Sequence, residues 1–396
     1  MKFLFKLSLV GIVFFTLQSC SSSEPEDEVI IEEQLALSTL DVFSADQESQ
    51  SVIVTSNLYW YTELNVDWIA LSPRFGTGNG AINVTVASNP NFEERTGTIT
   101  VIGGSYTRNI TVTQEAKVDN GGVLDPNKSP AQNFDLSTWK LNTPENNGNG
   151  FSKTISVSEI NGGYENNNYF YTGSDGGLVF KCPVDGFKTS ANTSYTRVEL
   201  REMLRGTDTS IPTQGVNKNN WVFGSSPASD KTAAAGFDGE MNATLAVNHV
   251  TTTGSSGQVG RVVIGQIHAN NDEPIRLYYR KLPNNSLGSI YFAHEPRDGF
   301  GSEQWYDMIG SRSNSVTNPS DGIALDEKFS YQIKTVNNTL TVTISREGKP
   351  NVVEVVDMTN SGFDQSGQYQ YFKAGLYQGN NSGSSDDYVQ ATFYAL

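Results

Sequence analysis

The sequence predicts an all-β protein made of two sandwiches, a small immunoglobulin-like one followed by a much larger one. Three observations predict it. No long stretch repeats at the helical period, whereas short segments alternate apolar and polar residues at period two, as in Ile82-Asn83-Val84-Thr85-Val86 and Thr98-Ile99-Thr100-Val101. Thr, Val, Ile and Asn abound beside 37 Gly, 17 Tyr and 20 Phe, a composition that suits half-buried strands joined by tight turns. The 396 residues exceed one average domain, and a Gly, Pro and Asn-rich stretch without periodicity interrupts the strands at 118–130.

The first twenty residues read as an address. Two lysines precede a short apolar run, Leu7 to Leu17, and then Gln18-Ser19-Cys20. The run is too short for a permanent membrane span and has the layout of a secretory signal. Leu17-Gln18-Ser19-Cys20 resembles the lipobox of bacterial lipoproteins, which implies lipidation at Cys20 and an outer-membrane lipoprotein exposed on the cell surface. Residues 21–29, rich in Ser and Glu, are expected to be a solvated tether. Cys182, the other of two cysteines, is then expected to be a buried, inert thiol.

Residues 30–117 alternate at period two between turn signals, Gly76-Thr77-Gly78-Asn79-Gly80 and Gly103-Gly104, as a small β-sandwich does. Trp60, Asp67-Trp68-Ile69, the glycine turn, Gly97 and the closing Val112-Thr113-Gln114 resemble a BACON-type module. Members of that family are often attached to carbohydrate-active enzymes. Trp60 and Trp68 are expected in its core, and the module is read as a spacer first.

The formal charge of −16, from 43 acidic and 27 basic residues, argues against nucleic acid as a partner, because that needs a basic footprint. It leaves room for a polyanion held in a local basic cleft. No His or Cys cluster stands at metal-ligand spacing; no cofactor is expected, and a structural calcium in a loop rich in Asp and Asn stays open.

Residues 131–396 return to short alternating strands, enough for two large sheets and a groove. Three of them put polar side chains on one face. In Arg197-Val198-Glu199-Leu200-Arg201 the two guanidiniums flank a carboxylate while Val198 and Leu200 oppose them. In Gln266-Ile267-His268 the amide and imidazole share a face. In Tyr371-Phe372-Lys373-Ala374-Gly375-Leu376-Tyr377 the residues Tyr371, Lys373, Gly375 and Tyr377 do, with Gly375 leaving room for a ligand and Lys373 biasing the Tyr377 phenol toward ionisation. Each segment alone also fits an ordinary surface strand.

Together, in this order, the three segments resemble the signature strands of alginate lyases of polysaccharide lyase family seven, and Phe134 to Leu141 resembles that family's opening strand. The resemblance implies a jelly-roll sandwich with a concave groove and β-elimination at 4-O-linked uronates of alginate. Arg197 and Gln266 would hold the sugar carboxylate, with His268 beside it. Tyr377 would be the general acid. The base would be Tyr377 for mannuronate and His268 for guluronate. Glu199, Arg201 and Lys373 would support the site or bind substrate. Ile267 points to acceptance of guluronate. The chain departs from the family at Val198 and at Gly379, where Ser or Thr and Gln are usual.

Two other readings share parts of this pattern: a lyase for another polyuronate such as glucuronan, and a non-catalytic glycan-binding lipoprotein. A glycoside hydrolase would need two carboxylates about the bond, and the signature strands offer only Glu199. The segments 206–220 and 298–321 are the expected groove-closing loops, and a monomer is expected.

Overall fold

The computed structural model describes residues 32–45, 48–89, 94–115 and 124–396. The signal, Cys20, the tether and residues 118–123 lie outside them. The chain divides into two compact units, 1–117 and 118–396. No described helix is long and apolar enough to cross a membrane.

The first unit packs two antiparallel four-stranded sheets face to face. Alternate residues of each strand point inward, so Val52, Val54, Ile82, Val84, Val86, Ile99, Val101 and Val112 close a dry core. Trp60 lies in it at 1 % exposure and donates its indole N–H to the Gly78 carbonyl at 2.9 Å. The glycine turn follows from this ring, because a Cβ on Gly76 would collide with the Trp60 indole. Trp68 is half-buried under the Arg95 guanidinium, 4.3 Å from its ring centre.

The second unit stacks a nine-stranded sheet on a seven-stranded one. In the larger sheet β1 is Trp139–Asn146, β2 Arg197–Glu202, β3 Arg261–His268, β4 Ile275–Arg280, β5 Leu287–His294, β6 Gln304–Ile309 and β7 Tyr371–Gln378. After the edge strand Ser152–Ile155 the order is β1-β2-β7-β3-β4-β5-β6, with Ile323–Ala324 paired to β5. All these pairs are antiparallel. The last strand of this sheet in sequence thus lies between β2 and β3, which brings three distant segments side by side. The core between the sheets is continuous: Val198, Leu200, Ile264, Ile267, Phe372, Ala374 and Leu376 meet Phe180, Leu245, Tyr331, Val389 and Phe393. Cys182 is a free, fully buried thiol here, and burial raises its pKa to about 12.

Two boundaries differ from the sequence reading. Residues 124–130, read as linker, belong to the second unit: Asp125 N–H donates to Asn133 at 3.1 Å and Gly176 packs against Leu124. The expected loop 298–321 contains β6, whose Gln-Trp-Tyr-Asp-Met-Ile gives no clean alternation because it stays half exposed at the sheet edge.

Candidate active site

The outward face of the large sheet gathers the polar residues of β2, β7 and β3. Register pairs Arg197 with Tyr377, Arg201 with Lys373, Gln266 with Lys373 and His268 with Tyr371. The four residues expected to carry chemistry therefore sit on three adjacent strands, about 5 Å apart from one to the next.

A β-bulge decides the aim of β3. Val262 and Ile264 face the core, and strict alternation would send Gln266 there too. The register shifts between Val263 and Gly265, after which Gln266 and His268 face outward and Ile267 faces in. Tyr331 donates its hydroxyl to the Ile264 carbonyl at 2.9 Å, and a Cβ on Gly265 would lie 2.7 Å from that hydroxyl. Ile267 is fully buried, so any influence on the substrate passes through packing.

Glu199 is the hub. It is 2 % exposed. Arg197 Nη1 donates to its Oε2 at 3.0 Å, Lys373 Nζ pairs with the same oxygen, and Gln266 Nε2 donates to Oε1. Burial opposes its ionisation, but Lys373 and Arg197 outweigh burial and hold its pKa below the usual carboxylate value. Burial and the Arg197 cation in turn bring Lys373 down to about 8. Arg197 keeps donors to spare: its Nε is buried without a partner.

Tyr377 lies under the Arg197 guanidinium, 4.1 Å from ring centre to Cζ, and edge-on to Tyr195 at 5.9 Å. Burial raises the phenol pKa despite Arg197. This corrects the expectation for Lys373. Its ammonium belongs to Glu199 and stands 6.0 Å from the Tyr377 ring centre, the cation on the ring is Arg197, and the phenol is held protonated. Gly375 is corrected as well. Its φ of +116° turns the missing side chain inward, where a Cβ would meet the Val198 carbonyl at 2.8 Å and the Phe180 ring. The glycine makes room for the core, not for a ligand.

His268 stacks flat on Tyr371, with centroids 5.1 Å apart and 9° between planes. Nδ1 lies 2.5 Å from the Ala269 carbonyl, an acceptor that a proton on Nδ1 satisfies. Burial, Lys373 and Arg197 lower its pKa to about 3, which keeps the imidazole neutral near pH 7. Glu273 was not foreseen. It sits on the loop from β3 to β4 with Oε1 3.2 Å from Nε2 and Oε2 bonded to Arg276 at 3.0 Å. That loop has no periodicity for the sequence to announce.

Arg201, expected to bind substrate, is 4 % exposed. It stacks on Tyr371 at 3.9 Å and gives its donors to Glu202, Thr213 and Asn220. Its geometry makes it the fastener of the 203–220 loop. His294 is structural, held between Pro274 and Ser361. Among the described residues no group of three or more His, Cys, Asp or Glu side chains converges as a metal site would.

A family model described as alginate lyase matches residues 134–396, a span that includes every one of these groups. The chain belongs to the alginate lyase 2 family. An alginate lyase of Klebsiella pneumoniae is 57% identical over 276 residues, which are 68% of this chain and 90% of the relative. The crystal structure of the alginate lyase from Klebsiella pneumoniae superposes with a TM-score of 0.67 at 57% identity, covering 67% of this chain and 96% of that one. An exolytic family-seven alginate lyase from Zobellia galactanivorans, at 22% identity and TM-score 0.50 over 67% of this chain and 96% of that one, shares the fold. The alginate lyase unit is thus a jelly-roll sandwich, and the chain is a polysaccharide lyase. The first unit matches the BACON family, described as a putative N-terminal binding domain, over residues 58–115.

Proposed function

We propose that the chain cleaves alginate by β-elimination, with Arg197, Gln266, His268 and Tyr377 as the reacting set. The observation that carries the reading is the Glu199 hub. It locks Arg197 and Gln266 in place through one side of each group and leaves their other donors for a sugar carboxylate. The C5 proton of a uronate is weakly acidic because the adjacent carboxylate is already negative. Donors fixed on that carboxylate let charge spread onto it as the proton leaves. The base takes the C5 proton, the freed electron pair forms the C4–C5 double bond, the C4–O bond breaks, and Tyr377 gives its proton to the departing oxygen.

The lowered pKa leaves His268 neutral near pH 7, the state a base for guluronate must have, and Nε2, beside Glu273 Oε1, is the atom that would take the proton. The carboxylate of a bound uronate adds negative charge beside the ring and raises its basicity. The chain lacking its first twenty residues is expected to release products with a new ultraviolet-absorbing unsaturated uronate from alginate. Alginate left intact while binding persists would favour the glycan-binding reading, and turnover of glucuronan alone would favour the other lyase.

His268→Asn is expected to lower turnover of guluronate blocks by roughly a hundredfold or more. Mannuronate blocks, on which the minor phenolate form of Tyr377, favoured by the Arg197 cation, would take the C5 proton and return it to the departing oxygen, should lose less. Equal losses on separated blocks would remove His268 from the base role. The pH profile gives a further check. Lys373 is charged below about 8 and neutral above it, so Glu199 loses one of its two cations as pH rises through that value. kcat/KM should fall there, and a profile flat to pH 10 would count against the hub.

The reading extends to location. Cys20 carries the lipid, and the mature chain is a monomeric lipoprotein displayed on the outer membrane. Cys20→Ala should move the protein from the membrane to the soluble fraction; retention in the membrane would refute the anchor.

A further inference from the structure

We infer that Lys140, helped by Arg205, forms a second carboxylate subsite that holds another uronate of the same polymer, two strands away from Tyr377. The inference rests on the alginate reading for the identity of the ligand and on geometry for the site. Register runs Gln266, Lys373, Arg201, Lys140 in one row across β3, β7, β2 and β1. Leu141 and its partner Leu200 are buried in the core, so alternation turns Lys140 to the outward face with the rest of the row. Two strand spacings across and four residues along β7 put Lys140 roughly 16 Å from Tyr377 along the backbone, about the span of three linked pyranose rings.

The other buried cations of the unit have acceptors. Arg197 and Lys373 share Glu199, Arg276 has Glu273 and Glu295, and Arg346 has Asp321. Lys140 is half-buried, yet its ammonium has no acceptor and no carboxylate among the described residues. The charges that act on it are those of Arg201, Arg205 and Lys373, all cations, and together with burial they lower its pKa to about 8. Arg205 spends one N–H on the Ile211 carbonyl, and its Nε is buried without a partner. Asp208 acts on Arg205 and Glu202 on Arg201, but no carboxylate is among the groups that act on Lys140. A half-buried ammonium without an acceptor, set beside other cations, is costly to fold. A bound anion removes the cost, and the carboxylate that a polyuronate repeats along its length is the anion this row presents itself to.

The test compares the chain lacking its first twenty residues with Lys140→Gln and Lys140→Arg, by initial rates of elimination on long alginate and by thermal unfolding. Lys140→Gln is expected to raise KM about five- to tenfold with kcat within twofold, as loss of one ion-paired contact does. Lys140→Arg should stay near the parent. Lys140→Gln should also melt no lower than the parent, because a like-charge clash is relieved. A KM unchanged in Lys140→Gln, a loss confined to kcat, or a lowered melting temperature accompanying the raised KM would overturn the subsite. If the parent itself releases no unsaturated product, the functional reading fails instead. The subsite is then judged by calorimetric binding of alginate to the parent and to Lys140→Gln, where equal affinity would overturn it.

Discussion

Tyr377→Phe should cut the release of unsaturated uronate by about a thousandfold, on guluronate and mannuronate blocks alike. The substitution removes one oxygen and keeps the ring. The ring does the packing: it lies against Tyr195 and under the Arg197 guanidinium, and both contacts survive without the hydroxyl. Folding and alginate affinity should therefore stay close to the parent's. The hydroxyl does the chemistry, since burial keeps it protonated, the form a general acid needs. A phenylalanine leaves the departing oxygen without a proton donor on either block, and for mannuronate it removes the base too. Rates measured on both blocks beside calorimetric binding decide the matter. Turnover within tenfold of the parent would take the acid role from Tyr377.

Glu199→Gln should injure both stability and turnover. Glutamine fits the same space, so the effect reports charge, not volume. The variant leaves Lys373 and Arg197 buried side by side with no anion between them. Removing one member of a buried pair costs roughly 3 kcal/mol, which for a unit of this size lowers Tm by roughly 5 °C. Turnover should drop by about a hundredfold or more as Arg197 and Gln266 lose the anchor that aims them. The pair also fixes an acid limit. Glu199 titrates below the ordinary carboxylate value in the folded chain, so its stabilisation is complete above that ordinary value and disappears as pH falls through the depressed one. Glu199→Gln should lose this acid sensitivity. Unfolding curves at neutral and acid pH check both claims, and a variant as stable as the parent at neutral pH would show that the hub is decorative.

Much of the site was legible because strands announce themselves by period two. Arg197-Val198-Glu199-Leu200-Arg201 and Tyr371 to Tyr377 each separate polar from apolar residues cleanly, and the structure buries Val198, Leu200, Phe372, Ala374 and Leu376 as the alternation requires. What alternation cannot give is partnership. Nothing in the spacing says that Glu199 takes Lys373 and Gln266 along with Arg197, that Arg201 turns away to fasten a loop, or that Glu273 reaches back to His268. Those pairs join residues far apart in the chain or on irregular loops, where no local period exists.

The sequence alone determined the material: two all-β units, the groups needed to hold and deprotonate a sugar acid, and which side chains of β2 and β7 share a face. These follow from the pleat, which is a property of the local backbone. The tertiary structure alone decided the assembly. It set β7 between β2 and β3, and it turned Gln266 and His268 outward by a bulge at Gly265 that exists because Tyr331, from the opposite sheet, binds the Ile264 carbonyl. A bulge shifts every side chain after it by one position, and only the packing of two sheets fixes where it falls.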